Sequence, residues 1–324
     1  VKVGIVGVAH MHIESYVQCF NKLHIAIEGA FERNNDLLKE FCKHHHMTPF
    51  ATLEALLSTN IDTVIICSEN SYHCRYTLLA ASYHKNVIVE KPIAISLNEA
   101  DQMIEACKNE KVQLMISHPV RFSKPIQQLK HAVELNKLTN VRAINASNHG
   151  KIPGGWFMNK DLSGGGAIMD HTIHIADLVH WIFNLNIKSI FARTGKLDEQ
   201  TGVDISGLLH ITCTNGVIMS LDTSWNRPSS LPVWGDASLE ISSDEGLTHV
   251  DGFGRKINFF SEKQKLAYLY YEEDMNLSMM RAFQKAVDEK APSPVTGEDG
   301  KFALSVALLA YKSIATHSVV KVEE

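Results

Sequence analysis

Over its first 116 positions this 324-residue chain alternates short apolar runs with segments patterned as helices. That rhythm restricts the fold more than any single motif. Residues 1–6, 25–31, 62–67, 86–89 and 112–116 read as strands. Between them Ile13, Tyr16, Val17 and Phe20 recur at helical spacing, and 36–43, 53–57, 76–83 and 97–109 also read as helical. Ser96, followed three residues later by Glu99, opens the last of these as a capping box. The run Asp62-Thr63-Val64-Ile65-Ile66-Cys67 is nearly continuous in apolar character, as expected when both faces of a parallel sheet are covered. Strands alternating with helices predict an α/β, doubly wound parallel sheet over residues 1–119, a Rossmann domain.

Chemistry-bearing residues fall at the ends of these strands. Val87-Ile88-Val89 is followed by Glu90-Lys91-Pro92. Pro92 lacks an N–H and disfavours helix at Lys91, so the pair sits at a strand end, either as a solvated turn or pointing into a ligand crevice. After the first strand comes Gly7-Val8-Ala9-His10-Met11-His12 where a dinucleotide fingerprint would read G-x-G-x-x-G. Only the tight-turn glycine, Gly7, is intact; Ala9 still permits close approach to a pyrophosphate, and His12 stands in the third glycine's place. Glu32 lies 25 residues after Gly7, where an acid can accept bonds from a ribose diol. Arg33 beside it suits either an adenine face or a 2′-phosphate, which leaves NAD and NADP both open.

Beyond residue 120 the texture changes. Residues 125–134 are helical in pattern and 141–148 strand-like, and glycines then gather from Gly150 to Gly166. After Gly164-Gly165-Gly166, the residues Asp170, His174 and Asp177 share one helical face. A polar row entering an apolar helix behind glycines points to a site. Short strands at 187–194, 204–212, 217–223, 237–242, 247–250 and 256–260 predict an open, mostly antiparallel sheet, closed by helices at 276–289 and 299–316. Residues 120–324 are therefore expected to form an α+β domain for substrate binding and oligomerisation. Apolar residues on both sheet faces predict a homodimer or homotetramer.

A net charge of −5 gives no electrostatic case for nucleic acid or an anionic membrane, and no apolar run reaches the roughly 18 residues of a membrane span. Six scattered cysteines without a C-x-x-C predict free thiols and a cytoplasmic setting. His44-His45-His46 reads as a loop.

The degraded fingerprint, Glu90-Lys91-Pro92, and Gly164-Gly165-Gly166 leading into Asp170, His174 and Asp177 occur in an order that resembles the glucose–fructose oxidoreductase/inositol dehydrogenase/MocA (Gfo/Idh/MocA) family of NAD(P)-dependent oxidoreductases. The resemblance covers essentially the whole chain. It implies a catalytic Lys91, a substrate-binding Asp170 and a proton-transferring His174. Gly7, Ala9, His10, Met11, His12, Glu32, Arg33, Ser68, Asn70, His73, Glu90 and Lys91 are the implied cofactor contacts. Arg121, Trp156 and His171 join Lys91, Asp170 and His174 as candidate substrate contacts, although Trp156 also suits a core. Ala9, His12, Glu69, His171 and Thr172 depart from the family's usual residues.

The implied activity is hydride transfer between NAD or NADP and a secondary alcohol of a sugar, cyclitol or related polyol. Two rival functions are a metal-dependent hydrolase, with His10 and His12 as ligands supplemented by His171 and His174, and a catalytically inactive binder or regulator. The expected antiparallel second half does not suit a hydrolase barrel, so no metal is expected.

Overall fold

A computed structural model describes residues 1–195, 197–254, 256–261, 265–270 and 274–322. The chain divides into two compact units. The first comprises Val1–His118, Asp161–Gly164 and Asn276–Leu304; the second comprises Pro119–Lys160, Gly165–Met275 and Ser305–Glu324.

The first part of the chain runs β1 (Lys2–Val6), α1 (Ile13–Lys22), β2 (Ala26–Phe31), α2 (Asn35–His45), α3 (Leu53–Leu57), β3 (Thr63–Ile66), α4 (His73–Ser82), β4 (Asn86–Glu90), α5 (Leu97–Asn109) and β5 (Leu114–Ser117). All five strands are parallel, in the order β2-β1-β3-β4-β5. Val3, Ile5, Val64, Ile65, Val87 and Ile88 are fully buried, because helices cover both faces. α1 buries Ile13, Tyr16, Val17 and Phe20 on one stripe. Asn34 caps α2 and Thr52 caps α3. At α5 the Glu99 N–H donates to Ser96 Oγ at 3.3 Å, as in a capping box, while Glu99 Oε2 reaches the N–H of Ile95, one residue before the cap, at 3.3 Å.

The histidine triplet differs from the expected loop. His44 and His45 complete α2, and His46 ends it in the left-handed region at φ 54°. His45 Nε2 lies 3.0 Å from the Glu14 carboxylate.

The chain continues with α6 (Lys124–Glu134), β6 (Ala143–His149), α7 (Lys160–Ser163), α8 (Ala167–Phe183), β7 (Ile187–Thr194), β8 (Gly207–Cys213), β9 (Ile218–Asp222), β10 (Asp236–Ser243), β11 (Gly246–Asp251), β12 (Lys256–Ser261), β13 (Lys265–Tyr270), α9 (Met275–Glu289), α10 (Gly297–Thr316) and β14 (Val320–Lys321). A seven-stranded sheet has the order β11-β10-β6-β9-β8-β7-β14, antiparallel except for the β6–β9 pair. β12 and β13 form a separate antiparallel pair. Strands β13 and β14 were not anticipated from the pattern.

Residues alternate across the large sheet. Ile144, Leu209, Ile211, Leu221, Leu239 and Ile241 point into the core, while Leu208, Ile218 and Leu247 are 58%, 59% and 69% exposed on the other side. β8 starts at Gly207 and not at Asp204, because Asp204 has another task. Its Oδ1 accepts the Gly166 N–H at 3.0 Å and the Tyr311 hydroxyl at 2.8 Å, and its Oδ2 accepts the Ile168 N–H at 2.8 Å. A distant carboxylate thus caps the N-terminus of α8, where Gly166 offers no side chain.

Candidate active site

In the first unit the strand order reverses between β1 and β3, so the loops that follow them open a crevice at the sheet's carboxyl edge. Gly7 sits there at φ +79°. A Cβ on it would lie 2.6 Å from Ser68 Cβ and 2.7 Å from Ser68 N, so only glycine fits. The His10 N–H donates to the Cys67 carbonyl at 2.9 Å and ties the two loops together. Glu32, buried at the end of β2, accepts the Val8 N–H on Oε2 and the Asn34 N–H on Oε1, both at 3.0 Å. An ionised carboxylate has roughly four lone-pair directions, so hydroxyls can still be accepted. No side chain caps α1 at His12, and Met11 is exposed. A tight glycine turn, an uncapped helix start and a buried acid after β2 fit a dinucleotide's pyrophosphate and ribose.

Arg33 lies 3.6 Å over the Tyr72 ring, and it donates to the Tyr72 hydroxyl at 2.7 Å and to Glu69 Oε1 at 3.2 Å. Glu69, one of the departures noted in the sequence, therefore anchors Arg33.

Glu90 ends β4 with its side chain fully buried. Its Oε1 lies 3.1 Å from His12 Nδ1, and its Oε2 accepts the Lys91 N–H at 3.1 Å. Burial pushes its carboxyl up, but the His10 and His12 imidazoles and Lys91 outweigh burial and hold it well below the usual carboxylate range. Burial and the Glu90 charge push the Tyr16 phenol well up. Lys91 itself is 4% exposed.

The donor atoms of His10, His12 and Glu90 lie within 4.8 Å of one another. Their hydrogen bonds do not suit a metal. His10 Nδ1 accepts the His12 N–H at 3.2 Å, so a neutral ring carries its proton on Nε2, which is 3.9 Å from Glu90 Oε2. His10 presents an N–H toward the carboxylate, not a lone pair.

Two expected cofactor contacts do other work. His73 is fully buried, with Nδ1 donating to the Pro92 carbonyl at 2.8 Å and Nε2 3.4 Å from the Ser68 carbonyl. It braces the Glu90-Lys91-Pro92 turn against the loop after β3, and burial lowers its pKa. Asn70 is also buried, and its Nδ2 donates to the Ser163 carbonyl at 2.8 Å. Position after a strand end places both residues at the sheet's carboxyl edge and does not say which way they face. The Ser68 hydroxyl donates to the Glu69 carbonyl at 3.1 Å.

In the second unit α8 carries Asp170, His171, His174 and Asp177. Asp170 is 8% exposed, and its Oδ2 accepts the Trp225 indole N–H at 3.1 Å with His171 Nε2 at 3.3 Å. His174, half-buried, follows one turn later. Asp177 is paired with Arg121, whose Nε and Nη2 donate to its two oxygens at 2.6 and 2.5 Å. Arg121 is 2% exposed, so it clamps α8 instead of meeting a substrate as expected. Trp156 stacks on Phe157, with ring centroids 3.9 Å apart, against a cluster of Ala167, Val203 and Trp225. Trp225 was missed: it lies two residues past the predicted strand 217–223, and nothing local marks an indole aimed at a carboxylate.

A family described as oxidoreductases with an NAD-binding Rossmann fold matches residues 1–118, and the GFO/IDH/MocA C-terminal domain matches residues 126–248. The chain belongs to the Gfo/Idh/MocA family. It is an NAD(P)-dependent oxidoreductase. The myo-inositol 2-dehydrogenase of Thermotoga maritima is 26% identical, with 100% of this chain and 99% of the relative covered. The D-glucoside 3-dehydrogenase of Escherichia coli is 26% identical, with 81% of this chain and 79% of the relative covered. GenD2 from gentamicin A biosynthesis, solved in complex with NAD, shares the fold at a TM-score of 0.88 and 21% identity, covering 100% and 97% of the two chains. Membership in a Gfo/Idh/MocA oxidoreductase family, with the His10 hydrogen bonds, leaves a metal-dependent hydrolase without support. Among the described residues no helix is long and apolar enough to cross a membrane.

Proposed function

We propose that this Gfo/Idh/MocA protein oxidises a secondary alcohol of an uncharged sugar or cyclitol, with Lys91, Asp170 and His174 as the working side chains. The observation that carries the proposal is the Glu90-Lys91 pair at the carboxyl edge of a parallel sheet whose switch point is built around Gly7. The nicotinamide, when bound, accepts the hydride. His174 removes the hydroxyl proton, the general-base role that an imidazole most often fills. The Lys91 ammonium stabilises the oxygen as its negative charge grows. Asp170 accepts a bond from a neighbouring hydroxyl and fixes the reacting carbon. Gly7, Ala9 and the start of α1 receive the pyrophosphate, and Glu32 receives the ribose diol. Glu32 also favours NAD over NADP, because its buried carboxylate repels a 2′-phosphate and Arg33 is already engaged with Tyr72 and Glu69. The myo-inositol and glucoside dehydrogenases among the relatives support the substrate class.

The open face around Leu208, Ile218 and Leu247 supports a homodimer or homotetramer formed sheet to sheet, and six buried free thiols support a reducing, cytoplasmic setting. Analytical ultracentrifugation that finds a monomer refutes the assembly.

The activity test follows NADH formation with myo-inositol, D-glucose and methyl D-glucoside. Lys91→Ala and His174→Ala each lower turnover by ~10²–10⁴-fold with NAD binding retained. Undiminished turnover in both variants sinks the assignment. Failure of the wild-type protein to bind NAD or NADP supports a non-catalytic binder instead.

A further inference from the structure

We propose that Trp225 is a positioning residue of the substrate site, and that its indole N–H sets the orientation of Asp170 and so decides which neighbouring hydroxyl the enzyme accepts. The inference rests on the reading of Asp170 as a substrate ligand.

Trp225 is 3% exposed and lies just beyond β9. Its backbone N–H donates to the Ile205 carbonyl at 2.8 Å, which continues the strand's pairing past Asp222. That pairing fixes the Cα and leaves the indole against Phe157, Ala167 and Val203. From this apolar wall Nε1 donates to Asp170 Oδ2 at 3.1 Å. Indole offers one donor and no acceptor, so the contact has a single polarity. A carboxylate bonded at one oxygen by a rigid donor loses rotation about its terminal torsion, and its remaining acceptor directions become fixed. In a low-dielectric surrounding such a bond to an ion is stronger than in water.

A second restraint acts on the same oxygen. His171 Nε2 lies 3.3 Å from Oδ2, and the imidazole meets the Trp225 ring edge-on at 6.3 Å. Behind His171 is Gly150. A Cβ there would lie 2.8 Å from His171 Cε1 and 2.5 Å from Trp234 Nε1, so both rings press on bare backbone. Gly150 in turn donates its N–H to the Ser224 carbonyl at 3.1 Å, next to Trp225. Gly150 thus supports the His171 ring directly and the Trp225 segment through its backbone. Had burial alone been at issue, an amide or hydroxyl could satisfy Asp170; a rigid bicyclic donor and an imidazole converging on one oxygen serve direction.

Trp225→Phe keeps a ring in the wall and removes the N–H. With whichever of myo-inositol and D-glucose is turned over, KM rises about tenfold or more, kcat changes less than threefold, and the NAD dissociation constant is unchanged. Discrimination between that polyol and its epimer at the neighbouring hydroxyl falls. In an Asp170→Asn background Trp225→Phe adds little, because the two act as a unit. An unchanged KM, or full additivity with Asp170→Asn, overturns the inference. Asp170→Asn with an unchanged KM instead overturns the reading of Asp170, which keeps the two failures distinct. Should Trp225→Phe not fold, NMR of the indole N–H signals in the wild-type holoenzyme decides. Saturating polyol shifts the Trp225 resonance and leaves in place that of Trp181, near the end of α8 beneath Arg121 and Lys130; a stationary Trp225 resonance overturns the inference.

Discussion

Glu90 and Asp170 are both buried carboxylates at candidate catalytic positions, yet they are held in different ways. Glu90 sits among His12, His10 and the Lys91 N–H, brought together at neighbouring strand ends. These neighbours hold its charge in place against full burial. Asp170 accepts the Trp225 indole N–H from an apolar wall, with the His171 imidazole at the same oxygen. The first arrangement fixes a charge beside Lys91. The second fixes a direction. A fixed charge supports the chemical step, whereas a fixed direction supports recognition of a substrate hydroxyl. Asp177, two turns along α8 from Asp170, adds a third case: a carboxylate that clamps Arg121 through both oxygens.

The clamp gives the largest expected effect. Arg121→Ala leaves the buried Asp177 carboxylate without its bidentate partner, at a cost of about 3–5 kcal/mol. Urea denaturation reads this as a lower midpoint. Protein that remains folded keeps its KM, because Arg121 holds the helix and not the polyol. A raised KM in the folded fraction would return Arg121 to the substrate site and erase the contrast between Asp177 and Asp170.

Glu90→Ala comes next. It removes the acceptor shared by His12 and the Lys91 N–H and frees the turn that carries the ammonium. Misplacement on the scale of an ångström costs roughly 10²-fold in rate. Turnover should therefore fall by about that factor while KM for the polyol moves little, the opposite split from Trp225→Phe. If Glu90→Ala raises KM and spares kcat, then the two carboxylates do not differ in kind.

The same contrast explains what could be read from sequence. Glu90, Lys91 and Glu32 were legible because a parallel sheet sends every strand's carboxyl end to one edge, so residues at strand ends meet whatever their separation in the chain. The apolar periodicity that predicts β1 to β5 also predicts that edge. His73 and Asn70 lie at the right edge, but direction depends on φ, ψ and rotamer, which no pattern encodes. In the second unit the Asp170, His174 and Asp177 row follows from helical spacing. Its partners do not. Trp225, Arg121 and Asp204 reach α8 by the register of an antiparallel sheet and by loops, and register is set by packing of whole faces. Asp204 shows the gap most clearly: its pattern reads as strand, and its carboxylate is taken by a helix start 38 residues away.

The smallest expected effect tests what holds the segment that follows Trp225. His149, at the end of β6, has Nδ1 2.9 Å from Asp236 and Nε2 3.2 Å from Asp222. Arg227 Nη2 donates to Asp236 Oδ2 at 2.5 Å, and its backbone N–H donates to the Gly150 carbonyl at 2.9 Å. Bonds to Asp222 and Asp236 raise the His149 pKa from 6.5 to about 9, against the opposing effect of burial. A raised folded-state value means the stabilisation is complete below about 6.5 and is lost as pH rises through about 9. Partial exposure of Asp222 screens the pair, so roughly 1–2 kcal/mol should disappear between neutral and alkaline pH. His149→Gln should be less stable at neutral pH and should lack that alkaline decline. Because Arg227 and Asp236 bracket the segment after Trp225, KM for the polyol should rise over the same window in the wild type and stay flat in His149→Gln. A KM that rises equally in both would mean that Trp225 is fixed by its own strand pairing and its wall alone, with no contribution from the charged network beside it.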